Sequence, residues 1–266
     1  PVQFQIADYL QEPDIKRKII EGFRGIGKSW ITSSFVCWLL LRDPQTKVLV
    51  VSASKQRADD FSVFTQRLIC ELPLLQHLIP TSDQRQSKVA FDVAPALASH
   101  APSVKSLGIT SMLTGSRADY IIADDVEVPN NSATADLREK LLKAVKEFEA
   151  ILTPKETSQI IYLGTPQTEE SIYNKLRATG FHCRVWTAEI PQKDTYNGAL
   201  APSIEEMIER GEPAGTPTDP KRFTRDDLNE RKLSYGRSGY ALQYMLDTSL
   251  SDSERYPLKT GDLVVT

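Results

Sequence analysis

Eight residues, Gly22-Phe23-Arg24-Gly25-Ile26-Gly27-Lys28-Ser29, match the spacing G-x-x-x-x-G-K-[ST] in full. The chemistry of that spacing is phosphate binding. Glycines let backbone N–H groups close on phosphate oxygens, a lysine reaches the β- and γ-phosphates, and a hydroxyl sits on Mg²⁺. Lys28 and Ser29 take the last two roles. Gly22, Phe23, Arg24, Gly25, Ile26 and Gly27 form the cradle, and Trp30 follows it. Such a loop needs an acid at the tip of a neighbouring strand, directed at the same Mg²⁺. Tyr120-Ile121-Ile122-Ala123-Asp124 supplies one, which makes Asp124 the metal-side partner of Ser29. Attack by water needs a further carboxylate as base. Asp125 follows at once and Glu127 lies two further on. In an extended chain the two share a face. Either can be the base, Asp125 being nearer the strand tip and Glu127 having the longer reach.

Two arginines stand near this machinery. Arg24, inside the loop, either meets the γ-phosphate or is solvated. Arg117, in Thr114-Gly115-Ser116-Arg117-Ala118-Asp119, precedes the acid strand at the end far from its own nucleotide. It either serves a neighbour's nucleotide in a ring, as an arginine finger in trans, or pairs with Asp119. Thr165, in Gly164-Thr165-Pro166-Gln167, ends another apolar strand and would lie beside the γ-phosphate, where it can report hydrolysis. Near the start, Gln3 and Gln5 flank Phe4. Glutamine can bond both N6 and N7 of adenine, and an aromatic ring can stack on the base.

These residues need a scaffold, and the pattern supplies one. Short apolar strands are expected at 19–20, 46–51, 88–93, 103–109, 119–123, 159–163 and 183–189. Helices are expected at 30–41, 55–74, 133–152 and 170–178. The helix after the loop would aim its N-terminal amides at the phosphates. Alternation of this kind predicts an α/β fold with a mainly parallel sheet and helices on both faces. Residues 1–192 read as the core. Residues 193–250 change texture, with prolines and glycines around one short helix at 204–210. A longer helix follows at 224–246, broken near Gly236 and Gly239. Residues 251–266 read as a tether ending in a strand at 263–266, as though cut from something longer.

Composition narrows the class. Net charge is −3, from 32 basic and 35 acidic residues, which neither advertises nor excludes nucleic acid. The longest apolar run lies in the helix after the loop and is too short to cross a membrane. Cys37, Cys70 and Cys183 form no C-x-x-C pair, and His182-Cys183 sits in a plain strand pattern. The chain reads as reduced and intracellular.

Taken in order, the pieces resemble the ATPase domain of tailed-phage terminase large subunits, most of all the short-tailed phage DNA maturase B type. The likeness runs from the glutamine region to about residue 250. It takes in the loop with its internal arginine, the Thr-Gly-Ser-Arg-Ala-Asp approach, and the doublet Asp124-Asp125. Leu163-Gly164-Thr165-Pro166 looks like the family's coupling motif, and Tyr240-Ala241-Leu242-Gln243-Tyr244 belongs to the set. The resemblance implies a RecA-like P-loop NTPase of the ASCE type with a small, mostly helical C-terminal subdomain. It also implies ATP and Mg²⁺, and translocation of double-stranded DNA into a procapsid without sequence reading. Its implied partners are a portal, a small terminase subunit and further copies in a pentameric ring. The setting is the host cell cytoplasm, outside the mature virion, with no membrane. Two departures stand out. Related ATPases usually carry Glu where Asp125 stands, and there is no room here for the family's RNase H-like nuclease. Two other readings compete. A two-lobe helicase needs a second lobe that the residues after Gln192 are too few to build. A nucleotide-gated assembly module would hydrolyse ATP poorly.

Overall fold

The computed structural model describes residues 2–192 and 196–249. The expected tether at 251–266 lies outside the described residues. Seven strands form one sheet: β1 (Arg17–Gly22), β2 (Val48–Ser52), β3 (Ala90–Phe91), β4 (Val104–Gly108), β5 (Tyr120–Asp124), β6 (Gln159–Gly164) and β7 (His182–Trp186). Their order is β3-β4-β2-β5-β6-β1-β7. All pairings are parallel except β3 with β4. β2 and β6 are buried at every position. That is why they read as unbroken apolar runs, the signature of strands covered on both faces. The expected strand at 88–93 shortens to two residues at the antiparallel edge.

The helices are α1 (Val2–Gln11), α2 (Lys28–Arg42), α3 (Lys55–Glu71), α4 (Pro129–Ser132), α5 (Ala135–Ile151), α6 (Ile172–Ala178), α7 (Pro202–Glu209) and α8 (Arg225–Tyr240). Caps set several boundaries. The hydroxyls of Ser54, Thr134, Ser171 and Thr224 accept first-turn N–H bonds of α3, α5, α6 and α8. α3 ends at Glu71, short of the expected 74, because Pro73 starts a separate 3₁₀ turn. α8 kinks at Gly236, and a π turn, Ala241–Met245, follows it.

The N-terminal segment is a helix, a finding the sequence pattern had not suggested. Val2, Ile6, Tyr9 and Leu10 form its buried stripe. The buried Lys18 ammonium fastens its end, donating to the Leu10 and Glu12 carbonyls and to Gln159 Oε1 at 2.6–3.0 Å. Burial lowers that lysine to a pKa of about 8.

Residues 196–249 pack back on the sheet. Ala199 accepts from the Val185 N–H, Tyr244 from Ala188, and Gln243 from Arg24. Strand tips of parallel sheets are where ligands bind in α/β folds. Here the tips of β1, β5 and β6 lie side by side and carry Gly22, Asp124 and Gly164.

Candidate active site

The loop between β1 and α2 is held from both sides. Phe23 and Ile26 are fully buried, and Phe23 meets Phe223 edge-on at 5.6 Å. With those side chains turned inward, the backbone of the loop is left facing out. Gly25 and Gly27 have φ of 88° and 94°, a region that favours glycine. Phe23 N–H donates to the Trp186 carbonyl and Arg24 N–H to that of Gln243. Arg222 Nε donates to the Gly25 carbonyl at 2.7 Å.

Behind the loop, Lys28 opens α2 and is nearly buried. Its Nζ donates to the Gly22 carbonyl at 2.6 Å. Ser29 Oγ donates to Asp124 Oδ2 at 3.2 Å, so the hydroxyl and the acid chosen from sequence meet. The other oxygen, Asp124 Oδ1, is buried without a partner among the described residues. Burial, and then the neighbouring Asp125, raise the Asp124 pKa to about 7 against the pull of Lys28 and Ser29. Two adjacent carboxylates with an orphaned oxygen form a site short of positive charge. Mg²⁺, which binds through one or two carboxylates and substrate phosphates, fits that shortage.

These groups line a cavity of about 550 Å³. Arg24, Gly25, Gly27, Lys28, Ser29, Trp30, Asp124, Asp125 and Thr165 all border it. Trp30 is exposed there, its ring 4.3 Å from that of Phe64. Arg24 Nη1 reaches Gln243 Oε1 at 3.4 Å.

Other expected residues lie elsewhere. The chain does not stay extended past Asp124. Asp125 has φ 47°, a left-handed conformation uncommon for a non-glycine residue, and its N–H continues the ladder to the Leu163 carbonyl. The turn parts Asp125 from Glu127, so the shared face does not form. Glu127 is buried and points at the segment after β6. It accepts from Gln167 N at 2.9 Å, Ser171 Oγ at 3.0 Å and Ile172 N at 2.7 Å. Burial raises its pKa, and these three donors oppose the rise.

Gln3 and Gln5 sit two apart on a helix, where side chains do not face each other. Gln5 Oε1 accepts from Trp186 Nε1 and Ser203 Oγ, away from the cavity. Gln3 Nε2 donates to the Ile26 carbonyl and to Asp219, beside the loop. Of the two readings of Arg117, the pair with Asp119 does not form. Asp119 is bound by Lys155 at 2.8 Å and by Thr153, while Arg117 Nη1 donates to the carbonyls of Ser116 and Ala150. Arg117 therefore stands at the strand starts, across the sheet from the cavity.

The cavity has further walls that sequence reasoning missed. Arg57, Asp60, Phe61 and Phe64 come from α3, and Gln243 from the π turn. The one available signal for α3 was its start, which follows directly on the tip of β2.

A sequence profile of terminase large subunits, T4likevirus-type, N-terminal, matches residues 19–210. The terminase large subunit of Enterobacteria phage T3 is 52% identical over 270 residues, taking in 99% of this chain and 46% of that protein. The chain thus spans less than half the length of that relative. The Thermus phage P74-26 large terminase ATPase domain superposes with a TM-score of 0.50 at 13% identity, covering 91% of this chain and 92% of that one. An arginine-to-alanine mutant of the same Thermus phage domain gives 0.51 at 14% over the same shares. That likeness is one of fold, a mainly parallel α/β sheet with helices on both faces. With the family profile matched over well more than half of its residues, the chain belongs to the terminase large subunits, of which it carries the T4likevirus-type N-terminal region.

Proposed function

We propose that this chain is the ATP-hydrolysing motor domain of a terminase that drives double-stranded DNA into a procapsid. The observation that carries the reading is the contact of Ser29 with Asp124, whose second oxygen is buried and unpartnered at the mouth of the loop.

The residues divide the work as follows. Loop amides from Gly25 to Ser29 and the Lys28 ammonium bind the phosphates of ATP. Ser29 and Asp124 would hold Mg²⁺, which would supply charge neutralisation to the phosphates. Asp125, in its left-handed turn beside Asp124, orients water against the γ-phosphorus and takes its proton as ADP leaves. Backbone strain of that kind is found where surrounding structure holds a group for use. Gln3, next to the loop, has its Nε2 committed to Ile26 and Asp219, so of the pair it is the Gln3 Oε1 that is left to accept from adenine N6. Arg24 adds charge from within the loop, and Arg117 from a neighbouring copy in a ring. Thr165 senses the γ-phosphate. DNA is gripped through its phosphates, so binding should weaken steeply with salt. The resemblance adds a portal, a small terminase subunit, a pentameric ring and the host cytoplasm as the working context.

The test is steady-state ATP hydrolysis against protein concentration, with Lys28→Ala as the blank. A Lys28-dependent turnover per subunit that climbs with concentration is expected. Hydrolysis no faster than the blank at every concentration, with and without DNA, would reject a motor and leave a nucleotide-gated assembly module.

A further inference from the structure

Three cations line the cavity: Arg24, Lys28 and Arg57. The first two are engaged, Arg24 with Gln243 and Lys28 with Gly22. The Arg57 guanidinium has no hydrogen bond or ion pair among the described residues. It borders the same cavity as Asp124 and Asp125.

The placement of Arg57 is built into the fold. It lies in the first turn of α3, where its N–H donates to the capping Ser54 hydroxyl at 3.3 Å. α3 begins three residues beyond the tip of β2, and β2 is paired with β5 in register, Ser52 opposite Asp124. The start of α3 also rests directly on the end of β4. A Cβ on Gly108 would lie 2.8 Å from the Lys55 backbone nitrogen, so a side chain there would push the helix away. Strand pairing, cap and close packing thus fix where Arg57 emerges, on the side of Asp124 and Asp125 away from the loop.

We propose that Arg57 is a further catalytic residue, which binds the γ-phosphoryl group of ATP in cis from the side opposite Lys28. The proposal rests on the nucleotide reading above. In the transition state the transferring phosphoryl group is close to planar with its charge spread over three equatorial oxygens, and a planar guanidinium fork matches that arrangement better than it matches the ground-state phosphate. Arg57 therefore affects turnover more than ground-state binding.

The test uses Arg57→Ala and Arg57→Lys in the full chain, with Lys28→Ala as control. The readouts are kcat, KM, and binding of MgADP with and without aluminium fluoride. Arg57→Ala should lower kcat by about 10³-fold, with Arg57→Lys recovering part of the loss. MgADP affinity should stay within about twofold, while the added affinity from aluminium fluoride disappears. Mixing Arg57→Ala with Lys28→Ala chains should restore nothing, because the cation serves its own site. Four results would overturn the proposal. One is wild-type turnover in Arg57→Ala. A second is an equal loss of MgADP and trapped-complex binding. A third is rescue in the mixture, which would make the residue act in trans. The fourth is a defect seen only in DNA affinity, which would make it a DNA contact. If the wild-type chain itself shows no Lys28-dependent nucleotide binding, the parent reading falls, and this one with it.

Discussion

The Tyr173 hydroxyl occupies the space in which a side chain on Gly164 would begin. Tyr173 is fully buried, and its hydroxyl makes no well-formed hydrogen bond among the described residues, with the Glu127 backbone close by. The tip of β6 therefore rests on a phenol ring, one residue before Thr165. Gly164→Ala should cost more than about 2 kcal/mol, as overpacking against a fixed ring does. Tyr173→Phe alone should be neutral or stabilising by about 1 kcal/mol, since it removes a poorly satisfied buried hydroxyl. It should not rescue Gly164→Ala, because ring carbons also crowd the site. Urea unfolding of the two single variants and the double variant checks all three.

Asp125 and Glu127 should part company in kinetics. Asp125→Asn keeps a residue type that tolerates the left-handed turn, so stability should hold within about 0.5 kcal/mol. Turnover should fall by about 10²-fold or more, with MgADP binding kept. Glu127→Ala strips the acceptor from three donors and should cost about 2–4 kcal/mol in unfolding. Glu127→Gln keeps an acceptor oxygen but turns an amide donor toward other donors, so an intermediate loss is expected. A Glu127→Gln variant with full stability and the Asp125→Asn rate defect would make Glu127 the base instead.

Arg117 carries a prediction about neighbours. Its hydrogen bonds to two backbone carbonyls are surface contacts, so Arg117→Ala should cost no more than about 1 kcal/mol. In assemblies it should lower turnover by about 10²-fold or more. Mixing it with Lys28→Ala chains should restore part of the rate, each copy supplying what the other lacks. Normal hydrolysis by Arg117→Ala alone, with no rescue of any partner, would falsify the trans role.

Glu21, just before the loop, gives a stability signature in pH. Burial pushes its pKa up to about 7, against the pull of Arg177 and the Cys183 thiol. Its folded value thus lies above the unfolded carboxylate value of about 4.5. The folded state then holds the proton more tightly than the unfolded one. Stability is greatest below the unfolded value and declines as pH rises toward 7. Glu21→Gln removes this dependence. Its Tm should exceed wild type at pH 8 and approach it at pH 5. An equal Tm difference at both values would show that Glu21 stays ionised on folding.

The loop, the acid strand and the Gly164-Thr165 tip were legible because each is a contiguous run whose chemistry is carried by adjacent residues. The alternation of strands and helices was equally plain, because β2, β5 and β6 are covered on both faces. What escaped was written across distance or in a single torsion. The buried stripe of α1 is four residues long and was masked by the glutamines between them. Nothing local says that Asp125 turns left-handed, yet that turn sends Glu127 to the segment after β6. Arg57 and Gln243 reach the cavity only through strand pairing and chain return, which no residue spacing encodes.

The bonds that brace the phosphate loop have a consequence for synthesis. The loop leaves the ribosome well ahead of its holders, Arg222 and Gln243, which come about two hundred residues later. β1 itself waits for both its neighbours, β6 and β7. A nascent chain therefore exposes its glycine-rich loop sequence before the partners that shape it, and those partners arrive in turn, β6 and β7 first and then Arg222 and Gln243. Chains released before residue 243 would carry the full motif yet lack one of the bonds that shape it.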